Sequence, residues 1–284
     1  MQIYYSDLCR LGGRLSENID ELARYGADAV ELMLDGPEWD EFENRAGDIA
    51  RMLGAKPFAF SVHTPAWDMN LTSENAQARK AALEAYQSSI VFAASIRAGH
   101  VVIHPGFCQT PAFDKKAARE RAAEAIGALC RFNGSYGTRL LVENVGNAET
   151  SIFTQEEFIR FFKAFGGGVG CLLDVGHANM CGWDLPETIA RLRPLLYAVH
   201  LHDNDGGADS HLPIGEGTVP WKSVFRALSG CRPELRLILE YNVGTPLRKL
   251  REGKDLLLRA FPQTEAAETV RPAKEFGRPS VLFL

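Results

Sequence analysis

Seven histidines stand in this 284-residue sequence, and five of them, His63, His104, His177, His200 and His211, lie at or just beyond the ends of short apolar runs. Carboxylates stand at equivalent places. His63 closes PFAFSVH, His104 closes HVVIH, Glu143 ends RLLVE, Asp174 closes GCLLD, His200 sits late in LYAVHLH and Glu240 late in LRLILEY. His177 follows Asp174 by three residues in DVGH, and Asp209 and His211 share the loop ADSHLPIGEG. Imidazole combined with carboxylate suits zinc, manganese or ferrous iron, and no thiolate accompanies the set. A single histidine at a strand end is ordinarily a hydrogen-bonded core residue; the joint placement of five is what points to metal. We therefore expect two or three divalent ions, zinc first, held by His63, His104, Glu143, Asp174, His177, His200, Asp209, His211 and Glu240. Glu143, central in the series, is the natural bridge between ions. Of the other two histidines, His100 starts a strand and is expected to be structural. His202, in VHLHDND, is expected beside the site, supporting a ligand or touching substrate together with Trp67.

These residues need elements that aim them at one place. The chain alternates short apolar, β-branched runs with longer amphipathic stretches, eight times over. The expected strands are 2–6, 29–34, 57–63, 100–104, 139–144, 170–174, 196–202 and 235–241, several apolar throughout as parallel strands covered on both faces are. The clearest helices are 73–99, opening at Ser73 and closing at Gly99, then 114–132, 154–165 with a capping box of Thr154 and Glu157, and 221–230. Repeated β and α units imply parallel strands joined by right-handed crossovers. Eight of them predict an α/β fold closed as a single (β/α)8 TIM barrel, and no G-x-G-x-x-G follows the first strand to favour a dinucleotide-binding sheet. In such a barrel the chemistry sits at the C-terminal strand ends, where the candidate ligands fall. The barrel is assigned to residues 1–262. Residues 263–284 are expected to form a tail packing on the barrel or on a neighbouring subunit, which leaves room for a homo-oligomer.

With 46% hydrophobic and 24% charged residues the chain has an ordinary globular composition, and its formal net charge of -5 offers no global attraction for nucleic acid or an anionic membrane. The N-terminus lacks the basic and apolar regions of a secretory signal and no apolar run reaches membrane-spanning length, so a cytoplasmic protein is expected. Six scattered cysteines include no C-x-x-C pair and are expected to be reduced thiols, with Cys108 nearest the site.

The ordered motifs SVHTPAWDMNLTS, HPG, LLVENVG, LLDVGHAN, VHLHDND, DSHLPIGEG and LILEY resemble, across nearly the whole chain, the superfamily that joins endonuclease IV with xylose-isomerase-like sugar isomerases and epimerases. The resemblance implies that Glu143, Asp174, His200 and Glu240 form the metal site common to both branches. It further implies that His63 and His104 hold a second ion with Glu143, and that His177, Asp209 and His211 hold a third. In the single-ion epimerases an arginine usually replaces His211. The ligand set thus resembles the phosphoesterase branch, whereas the surroundings do not. The loop DGPEWDEFENRAGD after the second strand is acidic, and the basic residues Lys115, Lys116, Arg119, Arg121, Arg248, Lys249, Arg251 and Lys254 fall on helices, as solvated faces do.

Two activities follow. The first is isomerisation or epimerisation of a small sugar or sugar phosphate, with Glu143 and Glu240 exchanging a carbon-bound proton. The alternative is metal-dependent hydrolysis of a phosphate ester, in abasic DNA or a small molecule, with DNA disfavoured by the acidic surface. A barrel that has lost activity is the third reading. Trp67, Trp183, Trp221 and Phe107 are the aromatic candidates to line the substrate pocket.

Overall fold

The apolar runs form eight parallel strands because the helices between them cover the strands' outer faces. A computed structural model describes residues 1–262. Its strands are β1 (Gln2–Ser6), β2 (Ala29–Met33), β3 (Ala59–His63), β4 (Val101–Ile103), β5 (Leu140–Glu143), β6 (Gly170–Asp174), β7 (Leu196–Leu201) and β8 (Arg236–Leu239). Each pairs in parallel with the next and β8 pairs with β1, so the sheet closes as a (β/α)8 barrel. The α-helices are α1 (Leu15–Arg24), α2 (Ala46–Gly54), α3 (Ala76–Ser95), α4 (Lys115–Asn133), α5 (Gln155–Phe161), α6 (Val175–Met180), α7 (Leu185–Leu192), α8 (Trp221–Leu228) and α9 (Arg248–Ala260). The tail assigned to residues 263–284 lies outside the described residues.

Local chemistry sets the helix boundaries. The capping box of Thr154 and Glu157 opens α5. Asp114 caps α4 by accepting from the amides of Lys116 and Ala117. α3 differs from expectation at both ends. Its cap is Asn75, whose Oδ1 accepts from Gln77 and Ala78, while Ser73 Oγ is taken by the amide of Asn75. At the far end Arg97 adopts a left-handed conformation with φ 54°, which stops the helix before Gly99.

Two packed regions flank the strands. The larger lies between strands and helices and includes Tyr5, Leu32, Val62, Val142, Leu173 and Leu239. The smaller fills the barrel interior with Tyr4, Ala29, Val102, Leu141, Leu172, Ala198 and Ile238. Side chains alternate along a strand with period two. Residues two beyond this inner layer therefore also point inward, and they are Ser6, Glu31, His104, Glu143, Asp174, His200 and Glu240. The apolar plug is the floor on which the polar site stands. Truncating it in Leu172→Ala should cost about 2–5 kcal/mol of folding stability by leaving a cavity. Denaturant unfolding measures this, and a cost near zero would show that the plug is loosely packed.

Candidate metal centre

Glu143 is 1% exposed at the end of β5, and four imidazoles surround its two oxygens. Oε2 lies 3.3 Å from His63 Nε2 and 3.1 Å from His104 Nε2. Oε1 lies 3.2 Å from His200 Nδ1 and 3.5 Å from His177 Nδ1. His200 Nδ1 is also 3.2 Å from Glu240 Oε2 and 3.5 Å from Asp174 Oδ2. His177 Nε2 and His211 Nε2 converge on Asp209 Oδ2 at 3.0 and 3.2 Å. The nine residues expected as ligands thus collect in one cluster. Within it, His63 with His104 and Glu143, Glu143 with Asp174 and His200, and His177 with Asp209 and His211 are each close enough to hold an ion.

Backbone and buried polar groups orient the rings. His63 Nδ1 donates to Thr64 O at 2.7 Å, His177 Nδ1 to Asn144 O at 3.0 Å and His211 Nδ1 to Glu240 O at 3.1 Å. This leaves Nε2 of His63 facing Glu143 and Nε2 of His177 and His211 facing Asp209. Asn144 itself is held by Asp174, through donation from its side chain to Asp174 O and from the Asp174 amide back to it. His211 takes a left-handed φ of 43°, a conformation that costs a non-glycine residue energy and persists only where its surroundings enforce it. Its loop is clamped by buried Asp203, whose backbone bridges Leu212 and whose carboxylate accepts from Gly215, Val219 and the Trp221 indole.

Glu31 was not among the expected site residues. It is fully buried in β2, where Oε1 accepts from His200 Nε2 at 2.6 Å and Oε2 accepts from His100 Nε2 at 3.0 Å and Ser61 Oγ at 2.9 Å. His100 Nδ1 in turn accepts from Arg236. A carboxylate behind an imidazole fixes its tautomer and increases its basicity toward a metal. The sequence signal was a glutamate inside the apolar run AVELM, since a parallel barrel strand has no wet face on which to leave one.

The donor set fits divalent cations. With Nε2 of His200 donating to Glu31, the lone pair of a neutral Nδ1 would face three carboxylates, an arrangement only a proton or a metal ion can satisfy. Glu240 Oε1 is buried with no hydrogen-bond partner among the described residues. Without metal, protons take the cation's place. Burial disfavours a charged His63, yet Glu143, Glu240 and Glu31 outweigh it and push its pKa up to about 9. His211 is likewise pushed up to about 9 against burial, by Asp209 and Glu240. Burial opposes the charge on Glu143 too, but His200 and His104 hold its carboxyl well below the usual carboxylate range. Asp209 is similarly lowered against burial by His177 and His211.

A cleft of about 290 Å³ opens above these residues. Trp67 and Phe107 line it, beside Leu8, Met33 and Val145. The other two aromatic candidates lie elsewhere: Trp183 packs on Phe158, and Trp221 is bound to Asp203. His202, expected either to support a ligand or to touch substrate, is buried behind the candidate ligands. Its Nε2 lies 3.0 Å from Asp174 Oδ2 and its ring stacks on His211 with centroids 3.8 Å apart. Gly176 makes room for that ring, because a Cβ there would stand 2.0 Å from His202 Cε1. Cys108 is buried, and desolvation raises its thiol pKa, which disfavours the nucleophilic thiolate.

Most of the basic residues flagged on the helices already have partners. Arg119 pairs with Glu157 at 2.9 Å, Arg121 with Glu74 at 2.8 Å and Lys249 with Glu216 at 2.9 Å. Lys254 pairs with Asp28, and Lys115 and Arg251 donate to backbone carbonyls. No helix of the described residues is long and apolar enough to cross a membrane.

The sequence model of the xylose isomerase-like TIM barrel family matches residues 19–260. A probable endonuclease 4 of Mycobacterium tuberculosis is 28% identical over 205 residues, 68% of this chain and 77% of that protein. A crystal structure described as a D-tagatose 3-epimerase-like protein superposes with a TM-score of 0.79 at 24% identity, covering 92% of this chain and 97% of its own. A protein from Thermus thermophilus, soaked with ZnCl2, superposes with a TM-score of 0.71 at 25% identity, covering 90% of this chain and 98% of its own.

Two outcomes follow from this geometry. Glu31→Gln removes the charge behind His200 and should weaken metal retention about 10- to 100-fold, measured by competition with a chelator; unchanged retention would remove the assigned role. The second concerns pH. A raised histidine pKa adds stability that is fully present below about 6.5 and is lost as pH rises through about 9. The lowered carboxylates act oppositely, adding stability above their ordinary range that disappears in acid. Metal-free protein should therefore melt highest near about pH 5–6 and lose stability toward pH 9, whereas metal-loaded protein should lack the alkaline decline. Identical alkaline declines with and without metal, in thermal scans, would contradict this.

Proposed function

Taking as premise that the chain belongs to the xylose isomerase-like TIM barrel family, we propose that it is a metal-dependent enzyme that isomerises or epimerises a small sugar. The observation that carries this reading is the cleft itself. It is near the lower end of the roughly 300–1,000 Å³ common for ligand pockets, it has apolar walls over a carboxylate floor, and no lysine or arginine among the described residues lines it. A small, neutral, polyhydroxylated molecule suits such a space better than a phosphate backbone, and an unphosphorylated sugar better than a phosphorylated one. The acidic loop over residues 35–48 and the paired surface cations point the same way.

Glu143, Asp174, His200 and Glu240 would hold one ion, His63 and His104 would hold a second with Glu143, and His177, Asp209 and His211 would hold a third. Bound divalent ions would supply Lewis acidity, acidifying the proton on carbon next to a sugar carbonyl or, in the alternative reading, activating water against a phosphate ester. Glu240 Oε1, buried and unpartnered, is an acceptor ready for a substrate proton. Glu143 and Glu240 each approach His200 Nδ1 at 3.2 Å, so two carboxylates border the same spot and could serve there as base and acid. The apolar wall of Leu8, Met33 and Val145 limits the water that could compete for that proton.

One observation favours the phosphoesterase reading. Asp209 and His211 complete a nine-residue set larger than a single ion requires, and a probable endonuclease 4 is among the relatives. One measurement tests the ligand set and two separate the readings. Elemental analysis of purified protein should find at least two equivalents of metal per chain. Incubation with ketoses and aldoses in deuterated water should incorporate deuterium at carbon, and Glu240→Gln should slow this by about 10²–10⁴-fold. Robust incision of an abasic-site duplex, abolished in Glu143→Gln, would overturn the sugar reading in favour of the alternative.

A further inference from the structure

A second cleft of about 200 Å³ adjoins the first, and the two share Trp67, Phe107 and Gln109 as a common wall. It is not a gap left by loose packing, because its base is tightly built. Asn70 Oδ1 accepts from the Phe107 amide at 3.2 Å, Asn70 Nδ2 donates to Phe107 O at 2.9 Å, and Thr72 Oγ1 donates to the same oxygen at 3.2 Å. Gly106 packs so closely here that a Cβ would stand 2.4 Å from Thr72 Oγ1. The shared wall is therefore fixed relative to the metal ligand His104, two residues before Gly106.

The side chains of Asn70, Thr72, Ser73 and Glu74 in this second cleft are already engaged, whereas those of Trp67, Asp68, Gln109 and Phe113 have no structural task of their own. Trp67 is 56% exposed and Phe113 is 36% exposed, two large aromatic faces left to solvent. Asp68 and Gln109 line the cleft, and their side chains have no hydrogen-bond partner among the described residues. Exposed aromatic faces beside unpaired acceptors and amides match the two-sided character of a pyranose ring, which presents a patch of C–H bonds on one face and hydroxyls around its edge. No lysine or arginine among the described residues lines this cleft, which disfavours a phosphate there.

We propose that the second cleft is a subsite for an additional, neutral sugar unit, so that the substrate is a glycosylated sugar whose reacting unit lies over Glu143 and Glu240 while its glycosyl unit lies against Trp67 and Phe113. This rests on the sugar reading above and extends it from a monosaccharide to an oligosaccharide or glycoside. Trp67 serves both units from the shared wall. Phe113 and Asp68 serve only the outer one.

Calorimetric titration of the metal-loaded protein tests this, with D-fructose set against glucosyl-fructoses linked through O4, O5 or O6. At least one disaccharide should bind about tenfold or more tightly than fructose, and Phe113→Ala should bring the ratio of the two affinities to about one. Asp68→Asn, which keeps the side chain's size, should reduce the ratio in the same direction. Fructose binding with no gain from any disaccharide would overturn the subsite and leave the sugar reading standing. A gain that survives Phe113→Ala would also overturn it. Binding of neither fructose nor any disaccharide would sink both.

Discussion

The structure is organised around the burial of Glu143 with its neighbours. A carboxylate removed from water needs compensating charge and hydrogen bonds, and here four imidazoles supply them from β3, the end of β4, the start of α6 and β7. Those imidazoles in turn crowd against Asp174, Asp209, Glu240 and Glu31. No member is tolerable alone; each is stable only while the others are present and a cation, proton or metal, completes the balance. The barrel makes this arrangement possible. Eight strands converge on one mouth, an apolar layer closes the space below, and the alternation of side chains sends the residue two positions beyond each plug residue into the site.

Much of this could be read from the chain. Apolar runs ending in histidine or a carboxylate gave away both the closed barrel and the direction in which its mouth faces, because only parallel strands with a common C-terminal rim place His63, His104, Glu143, Asp174, His200 and Glu240 together. Less was legible where tertiary contacts decide. Glu31 lies mid-strand in an apolar run and its meaning depends on which residues β3, β4 and β7 bring beside it. His202 shares inward parity with His200, yet the ring of His211 covers it, and nothing in the spacing VHLH foretells that stacking. The start of α3 moved to Asn75 because Ser73 had a competing partner in the Asn75 amide, a choice set by local geometry rather than by residue type.

The polar chain beneath the site links its chemistry to the stability of the barrel. His200 leans on Glu31, Glu31 on His100 and Ser61, and His100 on Arg236, so that the orientation of a ligand at the mouth is anchored near the opposite end of β8. Substitutions deep in the barrel can therefore change how a ligand is held without touching the cleft. Conversely, the walls of the cleft are built largely from the loops after β1, β3, β4 and β5, which can vary while the candidate ligands stay in place.

The loop that carries Asp209 and His211 is pinned at both ends, by the backbone bridge of Asp203 with Leu212 and by the Asp203 carboxylate at Gly215, Val219 and Trp221. The other candidate ligands lie on strands, one residue past β4 or β8, or in the helix start that follows β6. The ninefold constellation is thus divided between a scaffold portion and an insert of a few residues with a fixed attachment point. Such an insert can be exchanged as a unit, so one barrel lineage could pass between fewer and more ions by remodelling a single loop, with the barrel's own folding left undisturbed.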